Sequence, residues 1–205
     1  MLFNSLDFAI FLPLVFLGYW FVFRRRRSQN VFLLVASYVF YGWWDPRFLG
    51  LIVLSSLVDY IVGLRLHATG SARIRRGLLW TSIIVNLGIL GTFKYFNFFA
   101  GNLEGLFSLF GRPLALTHLD IVLPVGISFY TFQTMSYTID VYRRQLEPAK
   151  DIVEFFAYVS FFPQLVAGPI ERAINLLPQF QRDRSFDRAK AVDGLRQIFL
   201  DRHTT

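Results

Sequence analysis

Long apolar runs alternate with short arginine-bearing loops along this chain, and that alternation restricts what it can fold into. Residues 2–23, 30–44, 48–64, 78–93 and 121–139 are each dominated by Leu, Ile, Val and Phe. A helix that crosses a bilayer needs about 20 mostly apolar residues, and inside hydrocarbon only helices and closed barrels satisfy their own backbone. Soluble domains carry about 25% charged residues, whereas this chain is 54% hydrophobic and 17% charged. The expected fold is all-α: a polytopic helical membrane protein with five crossing helices.

The charges then give an orientation. The net charge is +7, which raises nucleic acid as a partner, but the basic residues lie between apolar runs, where the positive-inside rule accounts for them. Arg24–Arg25–Arg26–Arg27 follow the first run, and Arg65, Arg73, Arg75 and Arg76 follow the third. Arg143, Arg144 and Lys150 follow the fifth, and seven more basic residues lie from Arg172 to Arg202. An N-terminus outside puts all of these in the cytoplasm and leaves Arg47, Lys94 and Arg112 outside. The absence of cysteine excludes disulfides, thiolate metal sites and a Cys nucleophile. His67, His118 and His203 are scattered without HxxxH or HExxH spacing, so no metal site is expected.

Smaller features refine the picture. Asp45–Pro46–Arg47 reads as a tight turn, because proline lacks an N–H and disfavours helix before it; Tyr41, Trp43 and Trp44 form an aromatic belt beside it. Asp59 lies inside the third run, near its expected cytoplasmic end. An ionisable group there is a functional candidate, and pairing with an arginine of the next loop is the favoured reading. Phe99, Leu103, Leu106, Phe107 and Phe110 share one helical face, predicting a separate helix flat on the outer surface. Residues 152–170 contain Phe-Phe-Pro and Ala-Gly-Pro, with basic residues on both sides. A broken or re-entrant segment keeps both basic sets on one side, and such backbone survives at membrane depth only inside protein or along a watery cavity. Residues 185–200 read as an amphipathic cytoplasmic helix, with Val192, Leu195 and Phe199 on one face.

Residues 123–145 read LPVGISFYTFQTMSYTIDVYRRQ and residues 152–173 read IVEFFAYVSFFPQLVAGPIERA. Together with MLFNSLDFAIFLPLVFLGYW, NVFLLVASYVFYGWWDPRFL and FKYFNFF, in that order, they resemble the membrane-bound O-acyltransferase (MBOAT) family. Within it they look most like the membrane subunits of bacterial alginate O-acetylation systems, of which this chain matches an N-terminal half. The resemblance implies transmembrane helices around a tunnel in the bacterial inner membrane, with acetyl-CoA as the cytoplasmic acyl donor and no bound cofactor. The implied acceptor is an exported polysaccharide such as alginate, and the implied partner a periplasmic acetyltransferase or polysaccharide-export protein. Phe132, Gln133, Tyr137, Asp140, Tyr142 and Arg143 match one family segment; Pro163, Gln164, Gly168, Pro169 and Arg172 match the other. The resemblance assigns these to tunnel lining and donor contacts, with Arg143 and Arg172 facing CoA phosphates. The alternative for Asp140 is an i, i+3 pair with Arg143, and for Pro163, Gly168 and Pro169 it is helix packing. The family's catalytic histidine lies in a later helix, and no histidine of this chain takes that role, so the chain alone is expected to be inactive. The competing classes are a transporter or channel-like protein, for which broken helices also serve but no internal repeat is found, and an inactive truncated scaffold.

Overall fold

A computed structural model describes residues 5–43, 45–110, 126–168 and 171–201. Among the described residues every regular element is helical. Helix α1, Leu6–Leu17, is capped by the Ser5 hydroxyl, which accepts the Phe8 N–H at 3.2 Å, and it runs into a π turn at Gly18–Val22. Gly18 sits where a Cβ would lie 2.6 Å from the Phe32 ring, so α1 approaches α2, Arg26–Gly42, closely. The turn expected at Asp45–Pro46–Arg47 is present: the Asp45 carboxylate accepts the Arg47 N–H at 2.9 Å, satisfying one of the first orphan amides of α3, Arg47–Ala68. Trp44 lies outside the described residues.

The separate surface helix is replaced by a continuation. Helix α4, Ala72–Leu90, passes through a π turn, Gly91–Tyr95, into α5, Phe96–Leu109. The polar residue that marked the end of the run, Lys94, donates to the Ser128 hydroxyl at 3.1 Å instead of breaking the helix. Arg47–Ala68 and Ala72–Leu109 are the two described helices long and apolar enough to cross a membrane.

Helix α6, Ile127–Tyr142, packs on α3, α4 and α9, with a smaller contact to α7. Gly126, at φ 79°, turns the chain into it. At its other end Arg144 takes φ 60°, the left-handed C-terminal stop usually given to glycine, and the Gln145 N–H bonds back to the Asp140 carbonyl at 2.9 Å. The break expected in 152–170 is at Ser160–Phe161: α7, Ile152–Val159, stops there and α8, Phe162–Ala167, starts with Pro163 in its first turn. Helix α9, Ala173–Gln181, was not anticipated, and α10, Arg188–Asp201, falls in the stretch expected to be helical, with the Leu195 and Phe199 side chains outside the description.

Part of the first arginine cluster holds this fold together. Arg26 meets Glu154 on α7 at 3.3 Å and donates to the Gln181 carbonyl at the end of α9; Arg27 lies 3.7 Å from Asp151. Asn30 donates to the Phe180 carbonyl at 2.9 Å. The start of α2 therefore clamps α7 and α9, and these arginines are more than topology anchors.

Candidate functional site

Residues 133, 137 and 140 are spaced i, i+4, i+7, so they share one face of α6. Gln133, Tyr137 and Asp140 are all buried there. The buried amide of Gln133 needs a partner, and it finds the backbone: its Nε2 donates to the Tyr158 carbonyl at 2.9 Å, while the Tyr158 hydroxyl donates to the Gln133 carbonyl at 3.3 Å. This reciprocal pair ties α6 to α7. Tyr137 stands on Gly63 of α3, where a Cβ would come within 2.5 Å of its hydroxyl oxygen. Its ring lies 4.6 Å from that of Phe155, and its hydroxyl accepts the Ala149 N–H at 3.2 Å.

Asp140 pairs across the fold rather than along its helix. Its Oδ1 accepts from Arg172 Nη2 at 2.6 Å, and Arg172 also reaches Gln145 Oε1 at 3.4 Å. The expected local partner, Arg143, is exposed and makes no ion pair among the described residues. The reason is geometric: Asp140 points inward with Gln133 and Tyr137, and Arg143 sits at the helix end facing out. One Asp140 oxygen, Oδ2, is buried without a hydrogen-bond partner among the described residues. Arg172 thus joins the two sequence segments through one side chain while remaining 56% exposed itself.

The other candidates divide. Phe132 is exposed, on the outer face of α6. Tyr142 lends its carbonyl to Arg75 Nη2 at 2.6 Å and its ring to the Arg75 guanidinium at 5.5 Å. Gln164 is buried on α8, and Gly168 follows it so closely that a Cβ would lie 2.9 Å from the Gln164 Cα. That close approach supports a packing role for Gly168. Pro163 lines a groove beside α1, away from Asp140. Pro169 lies outside the described residues, as do His118 and His203.

A polar cavity of about 450 Å³ lies at the C-terminal end of α6, lined by His67, Arg75, Arg144, Gln145 and Glu147, of which Gln145 also accepts from Arg172. Arg75 is almost wholly buried and donates to the carbonyls of Leu66 and Tyr142, so it caps the C-terminal ends of α3 and α6 together. The described residues hold no group of three or more His, Cys, Asp or Glu that could bind a metal ion.

A second polar cluster was missed. Asp59 on α3 is fully buried and has no arginine partner among the described residues. Its Oδ1 accepts from the hydroxyls of Ser82 and of Thr138, the latter at 3.0 Å, and its Oδ2 accepts from Asn86 Nδ2 at 2.7 Å. Asn86 Oδ1 in turn accepts from Ser55 at 2.7 Å and Thr134 at 3.2 Å. Arg75, one of the cations expected to neutralise Asp59, is used on the carbonyls instead. The expectation also misjudged depth: α3 runs on to Ala68, so Asp59 sits roughly 18 Å along the axis from Arg47, just past the helix midpoint.

Comparison with known proteins shows which proteins the chain resembles over most of its length. The chain is 44% identical over 184 residues to proteins named probable alginate O-acetylase AlgI from Azotobacter vinelandii and Pseudomonas aeruginosa, covering 88% of this chain and 36% and 34% of theirs. Over that shared region the chain is a homologue of these O-acetylases. It is also 33% identical over 210 residues to a protein from Helicobacter pylori named peptidoglycan O-acetyltransferase, covering 88% of this chain and 39% of that one. The chain thus spans about a third of the length of these relatives. No family model and no solved structure matches it. For an O-acyltransferase homologue, the sole histidine among the described residues, His67, is an exposed side chain on the last turn of α3 at the rim of the polar cavity.

Proposed function

We propose that the chain builds the donor-side part of a membrane O-acyltransferase subunit, which moves acetyl from cytoplasmic acetyl-CoA toward an exported polysaccharide such as alginate or toward a periplasmic partner. The observation that carries this reading is the 44% identity to alginate O-acetylases over 88% of the chain, joined to the Asp140–Arg172 contact that unites both family segments. In the reaction the thioester C–S bond breaks, a C–O bond forms, and the acceptor hydroxyl gives up its proton. The general base for that proton is assigned to no histidine of this chain. What the chain supplies is positioning. Arg143 and the exposed part of Arg172 are placed to meet the donor's phosphates, beside the polar cavity that Arg144 and His67 line. Gln133, Tyr137 and Tyr158 hold α6 and α7 as a rigid wall, with Phe132 facing outward and Gln164 and Gly168 at the broken end.

The polytopic membrane reading is supported by the outward faces of the two long helices. Only 39% of the Arg47–Ala68 window and 17% of the Ala72–Leu109 window are buried, whereas a core helix of a soluble protein is mostly buried. Leu54, Ile61, Trp80 and Ile84 are among the exposed apolar side chains. Two experiments test the proposal. A topology reporter fused after Lys150 should score cytoplasmic and one fused at Arg112 periplasmic; the reverse pattern would overturn the orientation. A chimera in which this chain replaces its aligned 184-residue region of the Pseudomonas aeruginosa relative should incorporate acetyl into alginate in membranes. A chimera that reaches the membrane at normal abundance yet incorporates none would refute the reaction assigned here.

A further inference from the structure

A groove of about 400 Å³ runs between α1, the start of α2, the α7–α8 break and α9. Its size lies within the range of about 300–1,000 Å³ found for small-molecule sites. Its walls are apolar, with Leu12, Phe16, Trp20, Leu33, Phe161 and Leu176 among them. A single charged side chain lines it, Arg184. The Arg184 guanidinium lies 5.4 Å from the Tyr19 ring centre and 5.7 Å from that of Phe180, and it donates to Asn30 Oδ1. Its Nε is buried and has no hydrogen-bond partner among the described residues. The neighbouring acid, Glu154, pairs with Arg26 and also feels the Arg184 charge.

The groove therefore has a polarity. Its cationic end lies beside Asn30 near the start of α2, and its apolar end reaches Leu12, about 10 Å from Tyr19 along α1 by helical rise. One half-buried cation at one end and a hydrocarbon-lined channel leading away from it match one class of molecule. We infer that the groove holds an anionic membrane phospholipid, its phosphate on Arg184 and one acyl chain along α1 against the Phe161–Pro163 break. Phosphatidylglycerol keeps the net negative charge of its phosphodiester, which the choline group of phosphatidylcholine cancels, so an isolated arginine favours the anionic lipid, and the rings of Tyr19 and Phe180 hold the guanidinium in place for it. The inference rests on the membrane reading above. It assigns to Pro163 a lipid-facing position rather than one in the acyl path.

The test uses the whole chain, expressed in bacterial membranes, extracted in mild detergent and examined by native mass spectrometry with added phosphatidylglycerol or phosphatidylcholine. One phosphatidylglycerol is expected to survive desolvation, and phosphatidylcholine is not. Arg184→Gln should lower phosphatidylglycerol retention about tenfold, the equivalent of one lost charge-assisted contact. Leu12→Trp, which fills the deep end without touching Arg184 or its bond to Asn30, should lower retention of the same lipid and serves if Arg184→Gln does not fold. Brominated phosphatidylglycerol should quench Trp20 fluorescence, with Trp20→Phe as the control for the other tryptophans. Equal retention of the two lipids, or unchanged retention in both groove variants, overturns the inference while leaving membrane insertion intact. A second copy of the chain seated in the groove with lipid excluded also overturns it. A chain found in the aqueous fraction would remove the membrane reading and this inference together.

Discussion

Asp59→Leu is expected to destabilise the chain by about 2–4 kcal/mol, measured as unfolding in mixed detergent micelles. The substitution leaves the Asn86 amide and the Ser82 and Thr138 hydroxyls facing a methyl group at a fully buried point. Two considerations set the size. Each orphaned buried donor costs on the order of 1–3 kcal/mol, but side-chain hydrogen bonds between membrane helices average only about 0.6 kcal/mol, because unfolded helices find other partners. The hydroxyls can also turn back to their own helix carbonyls, which leaves Asn86 as the main loser. Asp59→Asn is predicted to cost less, about 1–2 kcal/mol. It sets one amide N–H against another, and flipping Asn86 to relieve that clash would orphan Ser55 and Thr134. The exchange Asp59→Asn with Asn86→Asp restores a donor opposite an acceptor and keeps acceptors for Ser55 and Thr134, but it removes the Asn86 donor to the Ser82 carbonyl at 3.0 Å, so it should recover part of that loss. A double variant no more stable than Asp59→Asn would contradict the hydrogen-bond directions assigned here.

The second large effect is at Arg172. Removing it in Arg172→Ala leaves the Asp140 carboxylate, 1% exposed, without its cation. Breaking a buried pair from one side costs about 3–5 kcal/mol; with the Arg172 side chain 56% exposed, solvent screening reduces this to about 2–3 kcal/mol. Asp140→Asn with Arg172→Ala removes the uncompensated charge and should regain most of the stability, giving a double-mutant coupling above about 1 kcal/mol. Arg172→Lys keeps a cation but not the planar fork that reaches both Asp140 and Gln145, so intermediate stability is expected. Additive losses in the two single variants would mean that the pair is not a functioning contact.

Much of this architecture was legible in the residues because hydrophobic length and helix-breaking residues are local signals. The turn at Asp45–Pro46–Arg47, the break before Pro163 and the helix near 185–200 could each be read from a few neighbours. The partners of charged groups could not be read so, since a helix face is fixed by packing. Asp140 had Arg143 one turn away and chose Arg172, 32 positions on. Asp59 had four arginines in the next loop and took neutral partners on α4 and α6. A signal for that cluster was present all the same: Ser55 and Asp59, Ser82 and Asn86, and Thr134 and Thr138 are three i, i+4 polar pairs in apolar helices, the spacing that lines residues up on one face. The sequence divides residues 78–110 at Lys94, where the apolar run 78–93 ends, whereas a π turn and the Lys94–Ser128 contact carry the helix through.

The most direct test of the donor-side role is acetyl incorporation into alginate by the Pseudomonas aeruginosa chimera, compared at equal membrane abundance with its Arg172→Ala form and with the Asp140→Asn, Arg172→Ala form. The predicted result is incorporation at the relative's own level for the unaltered chimera, near-total loss for Arg172→Ala, and recovered abundance without recovered incorporation for the double variant, because stability returns but the cation does not. Full incorporation by the Arg172→Ala chimera would contradict a donor-side role for the Asp140–Arg172 contact.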